Sequence, residues 1–353
     1  MGFELGDLWQ GAWRDFDSVI DVRAPLEFAE DHLPGAMSLP VLSDEERARV
    51  GTIYKQVSPF DARKIGAALV ARNAAQHIET QLMDKPGGWR PLVYCWRGGQ
   101  RSNSFATILR QIGWRVEVLE GGYRSYRRAV VEALYDSALP FPLIRLDGYT
   151  GTAKTALLPL LKARGVQVVD LEGLAGHRGS ILGSVAGGQP SQKGFESALI
   201  TAFQGLDPAR PVVVEAESAR IGALRLPPAL WHAMIRAPRV EIKAPVRARA
   251  AYLARAYADL LAEPAELTRL LERLRVLVGA ERVAQWIAMV EARDWLALAE
   301  GLVVHHYDPA YARARKRDDA RVAAVAEASD LAEDALPAVA DRLAQVLAEV
   351  DPG

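Results

Sequence analysis

The sequence predicts an α/β protein of two consecutive domains, each built on a mainly parallel sheet, the second carrying a helical insertion. Three observations predict it. The chain has 353 residues, more than one hydrophobic core comfortably serves. Short β-branched runs alternate with helical patterns, the order that gives parallel sheets. Two glycine-rich loops each fall between such a run and a helix.

In chain order, residues 18–23 (SVIDVR) and 90–95 (RPLVYC) read as strands, and 102–113 as a helix that Gly113 can stop. Residues 114–122 (WRVEVLEGG) read as the next strand, and 128–142 as a closing helix with a proline-marked linker. This predicts a domain over 1–138 and another over 139–353. The second restarts with PLIRLDG (142–148), and its other expected strands are 166–171, 211–217, 239–245 and 301–309. Residues of about 246–300 read as the helical insertion, and 320–350 as a final amphipathic helix pair.

Composition narrows the function classes. A net charge of −1 gives no global field toward nucleic acid, so such binding needs a local basic surface. One cysteine excludes an intramolecular disulfide and suits a reducing compartment. No signal peptide and no bilayer-length apolar run is seen, so a cytoplasmic protein without membrane contact is expected. His177, His305 and His306 lack metal-ligand spacing, and no metal site is expected of them.

Cys95 ends a strand and opens Cys-Trp-Arg-Gly-Gly-Gln-Arg-Ser, residues 95–102, directly before a helix. Gly98 and Gly99 let the backbone curl so that successive N–H groups point inward. The helix beginning near Ser102 adds its positive end, and Arg97 and Arg101 add charge. Each favours a thiolate, so Cys95 is expected to be acidic, accessible and reactive.

Residues 148–155 read Gly-Tyr-Thr-Gly-Thr-Ala-Lys-Thr, after a strand and before a helix, the setting of a phosphate-binding P-loop. The backbone there can wrap a diphosphate, with Gly148, Gly151 and Thr152 shaping the loop, Lys154 reaching the outer phosphate and Thr155 meeting Mg²⁺. Ala153 stands where the motif normally has glycine, so its methyl narrows the cradle or shifts the backbone angle. Glu215 and Glu217 end a later strand, where P-loop proteins keep a metal-water acid, or they are ordinary charges at a strand end. Asp170, with Glu172, carries the same two readings.

DVRAPLEFAEDHLPGA (21–36), YCWRGGQRS (94–102) and EGGY (120–123) resemble the rhodanese family, whose active cysteine would be Cys95, a chalcogen carrier. Five residues separate Cys95 from Arg101, where sulfurtransferases usually have four. That spacing resembles the related Cys-x5-Arg phosphatases and leaves phosphate-ester hydrolysis open. A rhodanese-like domain followed by a P-loop domain resembles the bacterial tRNA 2-selenouridine synthases through most of the chain. LEGLAGHRGS (171–180), QPSQKGFES (189–197), VEAESARIG (214–222) and HYDPAY (306–311) are close to that family's wording.

The resemblance implies a transferase acting on wobble 2-thiouridine of tRNA. It implies S-geranylation from geranyl diphosphate, then replacement of the geranylthio group by selenium from selenophosphate. No tightly bound cofactor is implied, and a selenophosphate-supplying enzyme is a candidate partner. The alternative is a sulfurtransferase or Cys-x5-Arg phosphatase fused to a nucleotide-hydrolysing P-loop domain. A non-catalytic RNA-binding protein with relic loops is a further rival, against which Cys95, Lys154 and Thr155 stand. For tRNA contact the basic candidates are Arg236, Arg239, Lys243, Arg247, Arg249 and Arg255, with Arg315 in a second cluster beside Tyr311. Arg124, Arg127 and Arg128 make a third.

Overall fold

In the computed structural model, which describes residues 2–179, 187–315 and 321–352, the first sheet has the order β2-β1-β3-β4. Its strands are β1 Ser18–Asp21, β2 Ala36–Ser38, β3 Pro91–Tyr94 and β4 Glu117–Val118. All pairings are parallel. Alternation along the strands sends Ile20, Val22 and Val93 to one side, and Val19, Leu92 and Tyr94 to the other. Both sides are buried, which is why β3 reads as an unbroken apolar run. Helices Pro59–His77 and Gln100–Ile112 cover the first side through Leu69, Val70, Phe105 and Leu109.

The other side is covered by Tyr123–Val131 and by a helix from much later in the chain, Gln192–Phe203. The first compact unit is Met1–Ala138 together with Pro190–Gly205; the second is Leu139–Gln189 with Leu206–Gly353. Residues 190–205, expected with the second domain, therefore pack with the first. Ile200 joins the core beside Tyr126 and Val130. Glu196, 1% exposed, accepts hydrogen bonds from Arg127 and the Tyr135 hydroxyl. Gln204 donates to the Leu8 carbonyl at 2.7 Å. No local pattern signals this, because the pairing spans some 60 to 200 residues of sequence.

The second sheet has the order β11-β10-β5-β7-β6, again parallel throughout. Its strands are β5 Leu143–Asp147, β6 Gln167–Val169, β7 Val212–Glu215, β10 Arg239–Lys243 and β11 Val322–Glu327. A small antiparallel pair, β8 Arg220–Ile221 and β9 Leu224–Arg225, stands apart from it. Helices Lys154–Lys162 and Leu336–Ala348 bury Leu157, Leu161, Val339 and Leu343 against Ile144, Leu146, Val240 and Ile242.

Three expectations change here. Residues 301–309 are helical: Trp295–Leu302 runs into a π-helical turn, Val303–Tyr307, and on into Asp308–Arg315. Val303 packs on Ala250, Leu253 and Ala299, so a β-branched run serves a helix–helix contact. The fifth strand is instead β11, whose sequence VAAVAE reads as helix by alanine propensity but completes the β10 edge. One helix, not two, follows it. The strand expected over 114–122 is confined to Glu117–Val118.

Glu196→Ala should destabilise the protein by about 3 kcal/mol, because it leaves the Arg127 guanidinium half-buried without its carboxylate. Urea unfolding measures this, and a change within error of zero would show that the pair contributes nothing to docking of Gln192–Phe203.

Candidate active site: a thiol loop and a phosphate loop

Cys95 follows β3, is 4% exposed, and lies at 3.2 Å from the Ser102 hydroxyl. The sulfur is buried, not openly accessible as the sequence suggested. Burial by itself raises the thiol pKa. The Ser102 hydroxyl, the backbone N–H groups of Ser102 and Arg97, and the Arg101 charge outweigh it, so the thiol lies below its ordinary value. Arg97 acts through its backbone, and its side chain is exposed. Arg101 is held by Glu27 at 3.1 Å.

Gly98 has φ +65, and a Cβ there would stand 2.7 Å from the Leu119 carbonyl oxygen. Gly99 has a negative φ and open space around it. Gly122 packs so closely that a side chain would collide with the Cys95 carbonyl. The EGGY segment is therefore the support on which the thiol loop rests, and Tyr123 N–H donates to the Cys95 carbonyl at 2.8 Å. Behind it, Arg23 pairs with Asp21 at 2.6 Å, stacks on the Tyr123 ring at 3.9 Å, and donates to the Asp31 carbonyl.

In the second unit the phosphate loop joins β5 to Lys154–Lys162. Gly151, at φ +88, lies where a Cβ would meet the Arg249 carbonyl at 2.8 Å. Ala153 adopts φ +61 and ψ 24, the left-handed conformation that glycine takes freely and that costs an L-residue roughly 1–2 kcal/mol. Its methyl is buried beside Leu157, so the cradle keeps its shape at the cost of local strain. Thr152 is buried and bonds the Tyr149 carbonyl, a shaping role. Lys154 Nζ donates to the Gly148 carbonyl at 2.8 Å, and Thr155 donates to Glu172 at 2.8 Å. Pro159 lies within the following helix.

The acids divide. Glu215 is fully buried and accepts the Leu171 N–H at 2.7 Å, and Asp170 caps the helix Leu171–Ala175 through the Gly173 N–H. Both are structural anchors. Glu172 and Glu217 line the cavity over the loop. Burial first, then the Glu172 charge, push Glu217 up to about 8 against the pull of Lys154. Thr155 with these two carboxylates is a hard-oxygen set of the kind Mg²⁺ takes beside a phosphate.

That cavity measures about 1430 Å³. Lys154, Arg145, Arg239 and Arg178 bring charge to it; Trp231, Leu253, Tyr257 and Tyr307 give it an apolar wall. Arg145 and Trp231 were missed in the sequence, although an arginine inside the buried strand LIRLD was a signal. The basic candidates do not form one exposed face. Arg239 and Arg249 are buried, at 7% and 4% exposed. Arg239 lies 3.6 Å from Asp147. Arg249 pairs with Asp308 and donates to the Thr150 carbonyl at 3.2 Å, bracing the phosphate loop. Arg236, Lys243 and Arg247 are exposed. Arg255 is also exposed and donates to the Leu331 carbonyl. The Arg315 side chain lies outside the described residues.

Residues 141–339 match the family described as the tRNA 2-selenouridine synthase AAA domain, and residues 4–129 match the rhodanese-like domain. A tRNA 2-selenouridine synthase of Shewanella pealeana is 35% identical over 277 residues, 76% of this chain and 72% of that protein. The one of Hahella chejuensis is 34% identical, over 83% of this chain and 84% of its own.

Two outcomes test the geometry. Ser102→Ala should raise the pH midpoint of Cys95 alkylation by iodoacetamide; an unmoved midpoint would remove the hydroxyl from the thiolate's support. Glu217 titrates near 8 when folded against 4.5 ordinarily, so its neutral form favours the folded state. That contribution is full below pH 4.5 and is lost as pH rises through about 8. Glu217→Gln should therefore show a shallower fall in melting temperature between those pH values than the parent, and an identical slope would refute the assignment.

Proposed function

Since this chain belongs to the tRNA 2-selenouridine synthase family, we propose that it converts wobble 2-thiouridine of tRNA to 2-selenouridine through an S-geranyl intermediate. The observation that carries this reading is the second unit's cavity, with a phosphate loop and an apolar aromatic wall in one space. Geranyl diphosphate presents those two chemistries. The thiouridine sulfur attacks the carbon bearing the diphosphate, the carbon–oxygen bond breaks, and the diphosphate leaves onto the loop. Lys154, whose Nζ donates to the Gly148 carbonyl at 2.8 Å, exchanges that partner for the departing phosphate. Preorganised donors of this kind are worth most where charge develops. Thr155, Glu172 and Glu217 would hold Mg²⁺ accompanying the diphosphate, which would neutralise part of its charge.

The second step belongs to the thiol loop. There the selenium of selenophosphate adds to the ring carbon and expels geranylthiolate, and water takes the phosphoryl group as phosphate when the phosphorus–selenium bond breaks, leaving selenium on the ring carbon. The amides around Cys95, with Arg101 and the start of Gln100–Ile112, support an anion at that place. The partners of this reading are tRNA and an enzyme supplying selenophosphate, in the cytoplasm. Among the described residues no helix is long and apolar enough to cross a membrane.

Lys154→Ala should lower geranylation of thiouridine by about 10²–10³. Cys95→Ala should still geranylate and should then accumulate geranylated tRNA. Nucleoside mass analysis after geranyl diphosphate, then selenophosphate, reads both. A folded Cys95→Ala protein that makes no geranylated product would overturn the division of labour.

A further inference from the structure

Arg178 lines the cavity over the phosphate loop but takes no part in the steps above. Its place is set by the next residue, Gly179, which lies at φ +65 against both cavity carboxylates. A Cβ on Gly179 would stand 2.5 Å from Glu172 Oε1 and 3.0 Å from both oxygens of Glu217. On the other side of Arg178, the His177 N–H donates to the Glu172 carbonyl at 3.1 Å. Glu172 in turn accepts from Thr155, and Glu217 feels the charge of Lys154. The segment 177–179 thus packs directly on the acids of the phosphate loop. The charges meet again at the Tyr252 hydroxyl, which Glu172 pulls one way and Arg178 the other.

The Arg178 guanidinium is only half satisfied. Its Nη2 donates to Asp259 Oδ2 at 2.8 Å, and its centre lies 4.8 Å from that of the Tyr257 ring. Its Nη1 is buried and has no hydrogen-bond acceptor among the described residues. A buried charged donor left in that state is costly, and an oxygen of a bound anion removes the cost. The Asp259 side chain is 52% exposed, and an ion pair so open to water contributes little and exchanges readily.

We propose that Arg178 is a second catalytic cation, which leaves Asp259 and takes oxygens of the departing diphosphate. The inference rests on the reading above that an alkyl diphosphate is the substrate. As the sulfur lone pair forms the carbon–sulfur bond, the electron pair of the carbon–oxygen bond passes to the diphosphate. That group leaves with more negative charge than one lysine balances. A guanidinium presents two parallel N–H groups to phosphate oxygens, which an ammonium does not. An arginine supplied from the same chain to a reacting phosphate stabilises the charge that develops there. Asp259 is the resting partner that holds the guanidinium until the diphosphate is bound.

The test uses the full chain and two readouts. One is calorimetric binding of inorganic diphosphate with Mg²⁺; the other is single-turnover geranylation of an anticodon stem-loop bearing 2-thiouridine. Arg178→Ala should weaken diphosphate by about tenfold and slow geranylation by about 10²–10³. Arg178→Lys keeps the charge without the fork and should fall between that variant and the parent. Asp259→Asn removes the competing carboxylate, so diphosphate should bind a few-fold tighter and geranylation should not slow. A guanidinium that merely ties 177–179 to the helical insertion predicts the opposite, a loss in Asp259→Asn that matches the loss in Arg178→Ala. That result overturns the proposal, as does an Arg178→Ala protein that binds and reacts like the parent. Should Arg178→Ala fail to fold, Arg178→Lys and Asp259→Asn decide in its place. A parent that binds diphosphate yet forms no geranylated product overturns the alkyl-transfer reading, and the binding measurements then decide the Arg178 contact by themselves. A parent that binds no diphosphate overturns both.

Discussion

A buried parallel strand that runs through a short loop into the N-terminus of a helix is the feature on which both loops depend. β3 and β5 are interior strands, each flanked on both sides, and their side chains are buried. A strand fixed in this way delivers the following residues to one place, and the next helix begins there with its N–H groups uncommitted. Cys95 and Lys154 are positioned by the same construction. It serves a sulfur anion in one unit and phosphate in the other.

What holds each curled loop is supplied from elsewhere in its unit. The thiol loop lies on Gly121–Gly122, where a Cβ would strike loop backbone or Ser125. The phosphate loop is braced by Arg249, which reaches both Thr150 and Asp308. Removing one member of a buried charge pair leaves the other without compensation, so such braces are strongly coupled to their surroundings. Ala153 shows the same dependence in another form. A left-handed alanine persists only where the surrounding structure determines it.

The chain changes unit at three points, 138/139, 189/190 and 205/206. The excursion between the last two places Phe195, Leu199, Ile200 and Phe203 in full burial, each worth about 1.5–3 kcal/mol of transfer. Such a helix is a structural part of the unit it covers. Its sequence neighbours serve the phosphate cavity's own unit: Gln189 bonds the Ala175 and Ile221 carbonyls.

The sequence alone determined the α/β class, the helical insertion and the two loops, because those signals are local. β-branched runs bounded by glycine and proline, and a cysteine or lysine set among glycines, carry their meaning within about ten residues. The direction of Cys95's acidity was likewise legible from the glycine cradle, Arg101 and the helix start, although its burial, the part of the Ser102 hydroxyl and Arg97's action through backbone rather than charge were not. Tertiary structure decided what depends on partners distant in sequence. Arg249 reads as a surface cation and is a buried brace because Asp308 lies across from it. Glu215 and Glu217 read as equivalent, yet one is tied to Leu171 and the other left in the cavity. VAAVAE becomes a strand because the β10 edge offers it a ladder, and the Val303 run becomes helix because Ala250 and Ala299 offer it a packing surface. Propensity ranks what a segment can do alone, and burial against a distant element outweighs it.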